Sequence, residues 1–170
     1  MAKYISGISK IEMGAIAGDG GMGLTLLAVG DVYLGTATMQ QDDNAVTEHY
    51  SELSDDPIFQ TVVKGKTYVN FTLVDVLPTQ LVLFLGGTAT GTTPAFKWDS
   101  PLVAPSIEQS LKISAKGALG EVYAISIPRA KINAKINASF GKTDMFKVEV
   151  KALIMTPTKA ATMPISLLLS

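Results

Sequence analysis

The sequence predicts a mainly β, antiparallel domain with one short α-helix, and three observations carry that expectation. Residues 131–140 alternate without a break, with Ile132, Ala134, Ile136, Ala138 and Phe140 on one side and Lys131, Asn133, Lys135, Asn137 and Ser139 on the other. Residues 145–154 repeat the pattern, Phe146, Val148, Val150, Ala152 and Ile154 opposing Met145, Lys147, Glu149, Lys151 and Leu153. The link between them, Gly141-Lys142-Thr143-Asp144, is short enough for a hairpin.

The tandem unit KINAKINA at residues 131–138 has a period of four, which suits a helix as well as a strand. The helical reading gives only a narrow stripe of Ile132, Ile136 and Phe140, with the alanines and polar residues scattered around it. Asparagine and isoleucine are also mediocre helix formers. Pro128 and Gly141 bound the segment as strands are often bounded, so the period of four is a strand period counted twice.

The remaining elements follow along the chain. Ile11, Met13 and Ala15 oppose Lys10 and Glu12 in a first strand, and residues 18–23 form a glycine-rich turn. Residues 32–39 and 59–63 are weaker strand candidates. Between them, residues 40–57 read as a long mobile loop carrying Asp42, Asp43, Asn44, Glu52, Asp55 and Asp56. Val69, Phe71 and Leu73 alternate with Tyr68, Asn70 and Thr72 over residues 67–76. Pro78 suits a first helical turn, Leu81, Phe84 and Leu85 then share a side, and Gly86 or Gly87 supplies the stop. A short buried strand is the competing reading of that run. A Gly- and Thr-rich loop over residues 86–94 follows.

Residues 107–116 place Ile107, Gln109, Leu111, Ile113 and Ala115 opposite Glu108, Ser110, Lys112, Ser114 and Lys116. In residues 121–127 the apolar side is odd-numbered, and after Pro128 it becomes even. A one-residue change of face predicts a bulge or kink near Pro128. Residues 157–170 form a C-terminal tail ending in Ile165-Ser166-Leu167-Leu168-Leu169, which is expected to dock on a neighbour rather than fray.

Composition narrows the function. The 170 residues suit a single domain with a real core. Lysine and arginine total 14 and aspartate and glutamate 15, so bulk charge does not advertise a nucleic-acid or membrane-surface binder. Charged residues make up 17% of the chain, against about 25% in an ordinary soluble domain, and mean hydropathy is +0.30. Surface buried between subunits explains both values, as does a core rich in valine and isoleucine. The absence of cysteine excludes disulfides, thiolate zinc sites and cysteine nucleophiles. The longest apolar run, residues 81–85, is far too short for a membrane helix, and no membrane partner is expected. Residues 1–14 carry no continuous apolar signal region, so the protein is expected to be made in the cytosol and kept there, or released without a secretion signal.

No constellation for catalysis stands out, and no cofactor or metal is expected. His49, the only histidine, has Ser51 and Glu52 nearby but no nucleophile-elbow motif. The glycines of residues 18–23 lack the Gly-Lys-Ser/Thr ending of a phosphate loop. Asp42, Asp43, Asn44, Asp55 and Asp56 offer oxygen ligands without the spacing of a calcium loop. Trp98 fits a core position better than a stacking platform. Lys112, Lys116, Lys131, Lys135, Lys147 and Lys151 could touch phosphates, but Glu108, Glu121 and Glu149 share their faces, which suits a mixed solvated or intersubunit surface.

The order of parts resembles the major tail tube protein of long-tailed bacteriophages, a fold shared with the ring protein of type VI secretion. The matching pieces are the YLGTAT run at residues 33–38, the acidic loop at 52–57, strands within 59–76, the short helix ending in an LGG turn at 81–87, and the IPRAKINAKI strand with its lysine-rich hairpin within 122–156. The resemblance spans roughly residues 5–156 and implies an antiparallel β-sandwich or partly closed barrel with one short flanking helix. It also implies a function: six subunits join their sheets into a ring, rings stack through mobile loops and termini, and the tube conducts genomic DNA into the host without catalysis or specific binding. The partners so implied are copies of the same chain and other tail proteins, in a virion tail assembled in the host cytoplasm. On this resemblance, residues 42–44, 52, 55 and 56 are candidates for ring stacking. Lys131, Asn133, Lys135, Asn137, Lys147, Glu149 and Lys151 are candidates for a lumen or intersubunit face. Lumens in that family tend to be acidic or neutral, so the lysine face either points elsewhere or is offset by Glu149 and Asp144. The alternative function is a β-sandwich binding module of a virion or cell surface that recognises sugar or protein, with Trp98 as its candidate platform.

Overall fold

The computed structural model describes residues 5–117, 120–139 and 145–169. The predicted turn at residues 141–144 and the apolar position Phe140 lie outside them. Thirteen strands and one helix are described, in the order β1 (Ile5–Gly14), β2 (Leu27–Ala28), β3 (Asp31–Val32), β4 (Thr38–Gln41), β5 (Ala45–Ser51), β6 (Ser54–Val63), β7 (Thr67–Val74), α1 (Pro78–Leu85), β8 (Thr88–Thr90), β9 (Lys97–Asp99), β10 (Ile107–Gly117), β11 (Val122–Ala138), β12 (Phe146–Ile154) and β13 (Ser166–Leu169).

One antiparallel sheet dominates, in the order β2-β1-β10-β11-β12-β7-β3, with β4 also on β7 and β13 also on β11. It curls into a half-barrel around Met13, Phe71, Leu73, Leu111, Ile127 and Val148. The seam between β1 and β3–β4 stays open as an apolar cleft of about 510 Å³, lined by Ile8, Tyr33, Leu34 and Met39 among others. The helix, predicted from Pro78 and Gly86, lies against the core and buries Leu81 and Phe84. Its start is held by Gln80, whose side-chain oxygen accepts from the Leu77 N–H at 2.8 Å and whose amide donates to the Ala28 carbonyl at 3.1 Å.

The predicted antiparallel pairing of β11 with β12 is present, running from Ala130 opposite Ile154 to Ala138 opposite Phe146. The change of face at Pro128 is a bulge. Gln109 pairs with Ala130 and Leu111 with Ile127, so Pro128 and Arg129 of β11 stand against the single Ser110 of β10. Tyr123 and Ile127 therefore point inward before the bulge, and Ala130 and Ile132 after it.

Ser110 secures this bulge. Its side chain is fully buried, its hydroxyl donates to the Pro128 carbonyl at 2.7 Å, and its oxygen accepts from the Gly23 N–H at 2.8 Å. A side chain at Gly23 would collide with the Ala15 carbonyl and crowd Ser110. The glycine-rich segment is therefore a packed cover rather than the flexible turn its composition suggests. Asp19 and Lys159 tie it to the tail with an ion pair at 2.7 Å.

Four other expectations are corrected. Residues 40–57 are not a loop: after β4 and a short link, they enter the β5–β6 hairpin, which forms its own two-stranded sheet. The strand candidate at 32–39 breaks into β3 and β4 around a turn, because Gly35 takes a positive φ of 77° and the Thr36 hydroxyl donates to the Tyr33 carbonyl at 2.7 Å. The core face of β11 ends near Ala134, and Ile136 is 43% exposed. Beyond Val148, β7 no longer pairs with β12, so among the described residues no third strand covers the hairpin's end. The tail strand β13 pairs with its own chain, from Tyr123 opposite Leu169 to Ser126 opposite Ser166, in line with β12 along β11.

Replacing Ser110 with alanine leaves a buried carbonyl and a buried N–H without their partner. The variant should lose about 1–3 kcal/mol of stability in urea unfolding, while Ser114→Ala, on a half-buried position of the same strand, should stay within about 0.5 kcal/mol. Equal losses would contradict the assigned role of Ser110.

Candidate functional surfaces: a lysine face and an acidic arm

The sequence-predicted candidates fall into two separate groups. The first lies on the convex side of the sheet. Residues facing outward on β11 oppose outward residues on β12, Asn133 beside Lys151, Lys135 beside Glu149 and Asn137 beside Lys147. The row continues onto β7, where Lys151 meets Asn70 and Glu149 meets Thr72. All seven predicted residues of this face are thus on adjacent strands, and Tyr68, Asn70 and Thr72 extend it.

Glu149 is the hub of this face. Its carboxylate bonds Lys135 Nζ at 2.8 Å with one oxygen and accepts from Asn137 Nδ2 at 2.7 Å with the other. The Lys135 bond, then the Asn137 bond, hold the Glu149 carboxyl below the usual glutamate value. Lys147 lies over the Tyr33 ring at 4.7 Å and Lys151 over the Tyr68 ring at 4.1 Å. At the bulge, Arg129 and Glu108 pair at 2.8 Å, and this bond chiefly lowers the Glu108 value. The predicted offset by Glu149 is thus present for Lys135, whereas Asp144 lies outside the described residues. The seven residues hold four lysines against one glutamate, so the face keeps an excess of positive charge.

The second group is carried by the arm of β5 and β6. Asp42, Asp43 and Asn44 sit at its base, where the Asn44 side chain accepts from the Gly65 N–H at 3.0 Å and Asp42 N–H donates to the Lys66 carbonyl at 2.8 Å. Glu52 lies in the turn at its tip, and Asp55 and Asp56 are on β6. Every residue of β6, and all of β5 but Ser51, is exposed. Apolar groups occupy both faces: Val46 pairs with Val62 on one, and His49 stacks on Phe59 at 5.7 Å on the other. Sequence reasoning found only the second half of β6, the strand candidate at 59–63, and missed the rest of this arm because its residues do not alternate in polarity. A further usable signal was the match of the β-branched Val46 and Thr47 with Val62 and Thr61, which pair in the hairpin.

The residues weighed for chemistry are placed as follows. His49 is in the arm, and the Ser51 hydroxyl accepts from the Leu53 N–H rather than turning to His49. Trp98 packs against the core and donates its indole N–H to the Gly86 carbonyl at 2.9 Å. Among the described residues, no three His, Cys, Asp or Glu side chains gather around a point that could hold a metal ion. No described helix is long and apolar enough to cross a membrane.

The whole chain exposes 11056 Å². A folded monomer of 17.9 kDa is expected to expose about 8,000 Å². The excess is roughly 3,000 Å².

A carboxyl held down by partners contributes to folding above the ordinary glutamate range and loses that contribution as pH falls through its lowered value. A carbon-detected NMR titration should place the Glu149 midpoint below that of an unperturbed glutamate, and Lys135→Met should move it up. A midpoint unchanged by that substitution would contradict the assigned cause.

No protein-family model matches the chain, and no curated protein matches it significantly.

Proposed function

We propose that the protein is a structural subunit that assembles with copies of itself into stacked rings, forming a tube of the phage-tail kind. The observation that carries this reading is the exposed β5–β6 arm. An isolated two-stranded hairpin is marginal in water, and this one presents Val46, Tyr50, Ile58, Phe59, Val62 and Val63 to solvent. A hairpin of that composition is stabilised by lying on another surface, and its own chain does not cover it.

Three further features support the same reading. The end of the β11–β12 hairpin leaves Ile136, Met145 and Phe146 partly uncovered. The sheet has an open seam, so its edge strands can pair with those of another copy and remove the edge liability. The charged fraction of 17% is low for a monomer that solvates its whole surface. Six subunits per ring, a virion tail as the location, assembly in the host cytoplasm and passage of DNA through the lumen come from the resemblance of residues 5–156 to tail tube proteins. In this role the protein performs no catalysis and needs neither cofactor nor membrane.

Negative-stain electron microscopy of the purified protein at increasing concentration tests the proposal, with rings or tubes expected. Replacing residues 45–63 with a short Gly-containing turn should leave a folded body, because the Asp42–Lys66 and Asn44–Gly65 bonds close the base, yet should abolish assembly. A protein that stays monomeric at millimolar concentration, or an armless variant that assembles as well as the full chain, would overturn it.

A further inference from the structure

We infer that the acidic arm of one copy lies on the lysine face of another, and that this contact joins the subunits. The inference rests on the self-assembly reading and assigns the surfaces that meet. Its basis is a division of charge within one chain. The arm over residues 45–63 contains Glu48, Glu52, Asp55 and Asp56 and no lysine or arginine. The β11–β12 face holds Lys131, Lys135, Lys147 and Lys151 around Glu149, with Glu108 of the neighbouring β10 opposite Lys131, so lysines still outnumber carboxylates there. A chain of net charge -1 has thus segregated opposite charges onto two surfaces that do not cover each other.

The geometry suits the pairing. The ten residues of β6 span about 33 Å, and the face from Lys131 to Asn137 spans about 20 Å, at the usual rise per strand residue. The aliphatic stems of the lysines, with Tyr68, offer the arm's valines and aromatic rings apolar area beside the ammonium groups. The contact is heterologous, since arm and face are different surfaces, and a heterologous contact builds rings or filaments rather than closing as a dimer. It also answers why a tube component would carry a basic strand face: the neighbour's four carboxylates offset it. A basic face could instead hold nucleic acid. The arm is favoured because its charge is opposite and similar in size, and because the arm needs a cover of its own.

Charge exchange tests the contact. Asp55→Lys with Asp56→Lys, and separately Lys147→Glu with Lys151→Glu, alter exposed or half-exposed side chains, and circular dichroism checks that each variant folds. Sedimentation velocity and electron microscopy then read assembly. Each pair alone should raise the concentration needed for assembly at least about tenfold, and the chain carrying all four changes should recover to within a few-fold of wild type. Raising salt from about 50 to 500 mM should weaken wild-type assembly. A wild type that assembles while both paired variants also assemble normally overturns the contact and leaves self-assembly standing. The same holds if the fourfold variant recovers nothing. If only the lysine variant is altered, and it loses binding to a DNA oligonucleotide, the face is a nucleic-acid surface and the contact is overturned. A wild type that never leaves the monomer overturns the self-assembly reading and this contact with it.

Discussion

The one extra residue in β11 opposite Ser110 decides which way the rest of the sheet faces. A strand of 17 residues with strict alternation would carry Tyr123 and Ile127 inward and then turn Lys131 and Lys135 inward as well. The bulge at Pro128 resets the alternation, so Ile132 enters the core and the lysines stand outside. A bulge frees backbone groups, and freed groups in a core are costly. The Ser110 hydroxyl supplies a partner for the Pro128 carbonyl, and its oxygen in turn accepts from the Gly23 N–H of the glycine loop packed over that point. Folding, the lysine face and the interface we assign to it all depend on this small hydrogen-bonded plug.

The half-barrel around the plug is well filled, but it is not finished. Its seam is open, its longest hairpin runs past the last covering strand, and an entire hairpin stands in solvent. Each feature alone is ordinary. Together they account for an exposed area well above that of a monomer of this mass. A chain with few charges does not gain by exposing so much apolar surface, unless copies of the chain remove it from water. Segregation of carboxylates on the arm and lysines on the sheet adds direction to that tendency, because like surfaces repel and unlike ones meet.

The parts of the fold that were legible in the sequence are those where one face meets the core and the other meets water. Residues 131–134, 148–154, 67–74 and 107–116 alternate for that reason, and even the change of face at Pro128 could be read from them, whereas the alternation of 135–139 and 145–147 continues past the core. The helix was legible from Pro78 and Gly86, which act locally. Apart from the strand candidate at 59–63, the arm was not legible, because neither of its faces is a core and nothing forces Val46, His49 or Phe59 into a pattern. The tail strand was hidden similarly, since Leu167, Leu168 and Leu169 are all exposed and carry no alternation. Ser110 gave no signal, as one serine in an amphipathic strand looks like a solvent position. Of the two candidate surfaces, the lysine face followed from period two alone, whereas the acidic residues were recognised as a group without the hairpin that carries them.

The central claim is that a second copy covers what one chain leaves open. Hydrogen–deuterium exchange at low and high protein concentration addresses it directly, strand by strand. Core amides of β10 and the inner part of β11 should be protected at both concentrations. Amides of β5 and β6 should exchange rapidly in dilute protein and become protected as assembly proceeds. Arm amides that exchange equally fast in both conditions, while larger species form, would place the interface elsewhere and contradict the account.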